Sequence, residues 1–193
     1  MDFFLIEAPA GSEAAAQADL AFHLGAPSNP GSTYIAQAGW EDLIVLINAS
    51  NPLSNLTKEQ LYALFSGQVR RWEALSSASI AFMHEVQAWS YPASDELRQA
   101  FEDVIFQAGP NQAQAMLAPD PQAMLEAVAS DESAIGYVPG SWLKYASTDL
   151  TENLKVVSID SELEEAFHLP VLVGSASEPQ GAARALLVCL SAK

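Results

Sequence analysis

The sequence predicts an α/β architecture with mainly parallel sheets, and three observations carry that expectation. Short apolar runs alternate with capped helix patterns along the chain. Residues 43–47 (LIVLI) form a continuous apolar run bounded by turn residues, the pattern of a strand buried on both faces. Half of the 193 residues are hydrophobic, enough for a real core and too many for a disordered chain.

Taken in order, residues 3–7 (FFLIE) read as a strand that Pro9-Ala10-Gly11 breaks. Ser12 can cap a brief Ala-rich helix over 13–18, and residues 19–23 (DLAFH) read as a second strand, which makes a minimal βαβ unit. A Gly/Pro/Ser-rich loop leads to the 43–47 strand, which Asn51-Pro52 ends. Thr57 and Gln60 form a capping box ahead of the apolar stripe Leu61, Leu64 and Phe65, and Gly67 stops that helix. A strand over 85–89 follows. The next helix is expected from Ser94, with Asp95 and Glu96 in its first turn and Leu97, Phe101, Val104, Ile105 and Ala108 inward; Gly109-Pro110 closes it. Asp120-Pro121 opens a third helix with Met124, Leu125 and Val128 inward. Strands are expected at 134–138, 154–159 and 170–173. Ser161 with Glu164 caps a short helix between the last two, and Pro179 starts a C-terminal helix through Leu190.

Eight basic against 24 acidic residues give a net charge of −16. So acidic a surface repels phosphate backbones and anionic bilayers, which argues against nucleic-acid binding and membrane insertion. No stretch approaches the roughly 20 apolar residues of a membrane span. The single cysteine, Cys189, excludes an internal disulfide and a Cys-based zinc site, and its apolar setting reads as buried core.

The segment 51–72, NPLSNLTKEQLYALFSGQVRRW, resembles the phosphate-binding proteins of ABC importers, which have the type II periplasmic-binding-protein fold. In that family a buried strand runs into an Asn-Pro hinge, then a helix ending in a Phe-Ser-Gly turn and a Trp. ADLA at 18–21, AIGYV at 134–138 and the strand-helix pair 170–190 resemble further pieces of it, in order, over nearly the whole chain. The resemblance implies two α/β lobes, residues 1–49 with 150–193 and residues 50–149. A two-segment hinge at Asn48, Asn51 and Pro52 and at 148–150 would join them, with a solute held in the cleft between. It also implies an extracytoplasmic location, an ABC permease as partner and an export leader outside this sequence.

Two departures qualify the resemblance. Where the family presents Arg and then Ser-Gly-Thr at a helix N-terminus to grip phosphate, this chain has Trp89-Ser90-Tyr91-Pro92-Ala93-Ser94-Asp95. No Arg precedes it, and Asp95 places a carboxylate where it competes with an anion for the same amides. The first lobe also starts short, which leaves either a reduced sheet or an open edge that invites a weak dimer through residues 3–6.

Candidate ligand contacts follow. Gly11 and Ser12 offer amides at a helix start, and Ser12 is equally an N-cap. His23 ends a strand near the expected cleft and reads as ligand contact or plain structure. Ser90, Tyr91 and Ser94 form a polar cluster with Trp89 as aromatic surface. Tyr137 faces either cleft or core. His84 and His168 stand singly, so no metal site is expected, nor any cofactor. No nucleophile elbow, P-loop or dinucleotide fingerprint is present, so the reading is not an enzyme. It is a solute-binding domain that captures a small polar ligand and is not a tight phosphate binder. The alternative is a degenerate binding-protein fold acting as a sensor or protein-interaction module without ligand.

Overall fold

One strand is far longer than its apolar signal: β2, Tyr34–Asn48, runs 15 residues, although only 43–47 read as strand in sequence. Its first half mixes small and polar residues, so the period-2 signal is lost before Leu43. The computed structural model describes residues 18–25, 34–75, 82–107, 115–175 and 177–191. The expected strand at 3–7, residues 13–17 of the helix expected over 13–18 and the Gly109-Pro110 stop lie outside them. The chain packs as two units: Met1–Glu41, Ser94–Glu96 and Leu169–Lys193, and Asp42–Ala93 with Leu97–His168. The lobe boundaries implied at 49 and 150 both fall inside the second unit.

In unit 1, β1 (Ala21–Leu24) pairs antiparallel with β9 (His168–Ser175), setting Ala21 opposite Gly174 and Leu24 opposite Val171. The C-terminal helix is Gly181–Ser191, and it opens on a glycine at φ 55° rather than at Pro179. Leu186, Leu187 and Leu190 are half-buried on it, whereas Cys189 is exposed. The expectation of a buried cysteine is therefore corrected. The run 185–190 is apolar on more than one side of the helix, and Cys189 falls on the outer one.

Unit 2 holds most of the core. Thr57 caps α1 (Lys58–Phe65) through both halves of the capping box, and Leu61, Leu64 and Phe65 are buried as the stripe requires. Gly67 at φ 72° turns the chain out of that helix. Trp72 is fully buried in a 3-10 turn, and its indole N–H donates to Ser133 O at 3.0 Å. Strand β4 (Gln87–Ser90) lies parallel to both β5 (Met116–Leu117) and β6 (Ala134–Pro139), and β2 runs antiparallel to β6 and to β7 (Leu154–Val156). A small parallel pair joins β3 (Asn55–Leu56) to β8 (Ser158–Ile159). The expected strand at 154–159 thus divides, each half taking a different partner. Glu85 makes only an isolated bridge to Arg71.

Helix α2 is Glu96–Ile105, with Phe101 and Ile105 buried, and begins two residues later than the sequence suggested. Helix α3 (Pro121–Ser130) is capped by Asp120, which accepts from Ala123 N at 2.8 Å, and buries Met124, Leu125 and Val128. Two short helices follow, α4 (Gly140–Tyr145) and α5 (Thr148–Thr151). Helix α6 (Ser161–Ala166) is capped by Asp160, not Ser161: the Asp160 carboxylate accepts from Leu163 N at 3.0 Å. With α7 as the C-terminal helix, the α/β class expected from the sequence is the class observed.

Candidate functional site

In unit 1 the polar centre is His23. Strand β1 is the end of the sheet order among the described residues, so one edge of it meets no described strand. On one side the chain closes through Gly25 N–H to Pro170 O at 2.9 Å. The neighbouring Leu24 N–H donates instead to Glu96 Oε2 at 3.2 Å. The other oxygen, Oε1, lies 2.6 Å from His23 Nδ1. An ionised carboxylate only accepts, so the Nδ1–H donates and Nε2 is the other nitrogen of the ring. One carboxylate thus engages a ring donor and a backbone donor, each oxygen taking one, and both side chains are about three-quarters shielded from water. Ser94 is exposed. Gly11 and Ser12 lie outside the described residues.

In unit 2 the expected cluster closes on itself. Ser90, Tyr91 and Tyr137 are each 0% exposed. Ser90 Oγ and Tyr137 Oη are 2.8 Å apart, Tyr91 O–H donates to Tyr137 O at 2.9 Å, and Ala118 N–H donates to Ser90 O at 2.8 Å. The Tyr137 ring stacks on Phe101 with centroids 4.0 Å apart, and Tyr91 meets it edge-on. All three side chains are closed to solvent: the Ser90 and Tyr137 hydroxyls satisfy each other and the Tyr91 hydroxyl bonds a backbone carbonyl inside an aromatic core. Trp89 is half-buried, with its Nε1 buried and unpartnered among the described residues.

The cation nearest this cluster is Arg98, which sequence reasoning passed over. Its Nε donates to Glu102 Oε1 at 2.8 Å, one helical turn on, and its Nη1 donates to Tyr91 O at 3.2 Å. Both partners of the ion pair are mostly shielded. The i,i+4 spacing of Arg98 and Glu102 was visible in sequence; the reach of Glu96 to His23, 73 residues away, was not.

Of the expected hinge residues, Asn48 and Asn51 are hydrogen-bonded anchors within unit 2. Asn48 is 5% exposed and its Nδ2 donates to Val128 O at 3.1 Å and Ala129 O at 2.9 Å, carbonyls of the last turn of α3. Its Oδ1 accepts from Ser50 N, as Asn51 Oδ1 does from Leu53 N. Lys155 Nζ donates to Asn51 O, and burial lowers that ammonium below its ordinary pKa. Pro52 is exposed.

Each unit also carries a groove. One of about 280 Å³ in unit 1 is lined by Val173, Ser175, Glu178, Pro179 and Arg184. One of about 340 Å³ in unit 2 has an apolar floor including Val45, Val156 and Phe167, with His168 and Asp42 paired at 2.6 Å on its rim. Among the described residues no three His, Cys, Asp or Glu side chains are grouped to hold a metal.

These folds have known counterparts. Residues 10–178 match the family model of a PBP superfamily domain. The fold is similar to that of an ABC-type phosphate transport receptor from Vibrio cholerae, 16% identical, with a TM-score of 0.67 over 91% of this chain and 74% of that one. It is similar to a substrate-binding protein assigned to a phosphate ABC transporter, with phosphate bound, from Clostridium perfringens: 15% identity, TM-score 0.73, 95% of this chain and 79% of that one. The regulatory domain of CcmR from Synechocystis PCC6803, in complex with 2-PG, is also similar, at 14% identity and TM-score 0.61 over 91% of this chain and 73% of that one. None of the curated protein sequences matches. With its family model covering most of the sequence and its α/β fold shared with phosphate-binding receptors, the chain belongs to the PBP superfamily, the periplasmic-binding-protein type.

Proposed function

We propose that the chain is an extracytoplasmic solute-binding domain of the ABC-importer type, without enzymatic activity, that captures a small polar ligand and does not hold inorganic phosphate tightly. Capture between two lobes enters from the family resemblance alone. The observation that carries the phosphate statement is the state of the donors where the family grips its anion. The stretch Trp89–Asp95 contains no Arg or Lys, and the nearby Arg98 is already paired with Glu102 and the Tyr91 carbonyl. The donors of His23 and Leu24 are taken by Glu96. A tight phosphate site needs charge-assisted donors that are free to turn to it. Calorimetry with inorganic phosphate at moderate salt is expected to show no micromolar binding; a micromolar affinity would overturn the reading.

The second reading, a sensor or interaction module without ligand, is favoured by the closure of Ser90, Tyr91 and Tyr137 into core. The two readings part on solute: the first requires a small molecule bound by the native protein, the second none. The permease would be the partner under the first reading. Self-association through residues 3–6 is a separate expectation, which sedimentation at high concentration tests.

A further inference from the structure

We infer that His23 and the Leu24 amide form a carboxylate-accepting donor pair that the chain keeps filled with its own Glu96, so that truncating Glu96 turns unit 1 into a receptor for a small monocarboxylate. The geometry is that of ligand recognition rather than of a surface ion pair. The two donors belong to consecutive residues at the end of β1. They meet the two oxygens of one carboxylate separately, at 2.6 Å and 3.2 Å. A planar carboxylate with two acceptor atoms matches two convergent donors of this kind. The ring and the carboxylate are 21% and 28% exposed, so the site is screened by protein and still open to a small solute. Leu24 N–H lies on the outer edge of β1 among the described strands, and no described backbone carbonyl accepts from it. Loss of Glu96 would strand both donors in a half-buried setting, where an unpaired polar group is costly. A free carboxylate of the same shape relieves that cost. The inference stands on this local geometry and does not depend on what the native chain binds elsewhere.

The test is titration of the full chain with sodium acetate, read by amide NMR at Leu24 and by the His23 ring signals. In Glu96→Ala, acetate is expected to give a saturable shift at both residues with a midpoint in the millimolar range, roughly what four heavy atoms can deliver. The wild type is expected to bind at least about tenfold more weakly, because its own carboxylate competes at high effective concentration. Adding His23→Ala to Glu96→Ala should abolish the effect. A well-dispersed Glu96→Ala spectrum without a saturable acetate shift would overturn the inference. So would wild-type binding as tight as the variant's, or inorganic phosphate binding the variant more tightly than acetate. If Glu96→Ala does not fold, Glu96→Ser removes the same carboxylate while keeping a small polar side chain, and the same outcomes apply. Failure here leaves the solute-binding reading intact, since that reading is tested on the native chain with other solutes.

Discussion

Thr57 shows how much a single residue decides locally. Its hydroxyl accepts from Gln60 N at 3.3 Å while Gln60 Oε1 accepts from Thr57 N at 2.9 Å, so two donors that α1 would leave unpaired are satisfied reciprocally. Thr57→Ala should cost about 1 kcal/mol, seen as a lower urea midpoint with an unchanged slope. Gly136 is constrained differently. A Cβ there would overlap Met124 Sδ and sit 3.1 Å from Val128 Cγ2, both in fully buried side chains. Gly136→Ala should therefore destabilise by about 1–3 kcal/mol, the usual cost of overpacking, and a midpoint equal to wild type would contradict that. Glu73 brings a pH dependence. A hydrogen bond from Arg71, aided by the residue's own backbone N–H, holds its carboxyl below the ordinary 4.5. A depressed folded-state pKa contributes stability that is present above 4.5 and lost as pH falls through the lower, folded value. The gap in urea midpoint between wild type and Glu73→Gln should hold at neutral pH and narrow below 4.5. A gap that widens in acid would contradict the assignment.

At the scale of elements, Asn48 ties the end of β2 to the end of α3 through two carbonyls that the helix itself leaves open. Asn48→Ala should destabilise by about 2 kcal/mol, since it removes both bonds and leaves buried acceptors. Hydrogen exchange should show the loss concentrated in the last turn of α3. Elements were legible wherever local chemistry decides them. The caps of α1 and α3 and their buried stripes read directly from Thr57, Gln60, Asp120 and Pro121, because capping uses neighbours three residues apart. The first half of β2 was illegible, because long-range pairing holds it there rather than alternation of its own residues. The cap of α6 shifted by one residue, since Asp160 and Ser161 are both good caps and only the bond to Leu163 N separates them.

For the whole molecule, the order of the pieces was enough to identify the family, whereas the surroundings of the candidate site residues depend on contacts far apart in sequence. The aromatic and hydroxyl residues at 89–91 and at 137 are of the types that line binding clefts. The same types, once Tyr137 stacks on Phe101 and bonds Ser90, make an aromatic core. The place of His23 at a strand end is legible in the sequence, but its partner lies 73 residues away and no local signal marks it. The missing Arg before Ser94 was legible in the sequence; the bond from Arg98 to the Tyr91 carbonyl was not. Under the proposed function, the native protein captures a small polar solute. Native mass spectrometry of protein purified gently from cells grown in rich medium tests it most directly. A discrete adduct of small-molecule mass that disappears on denaturation is expected; a bare polypeptide mass under conditions that keep the protein folded would contradict solute capture and favour the ligand-free module.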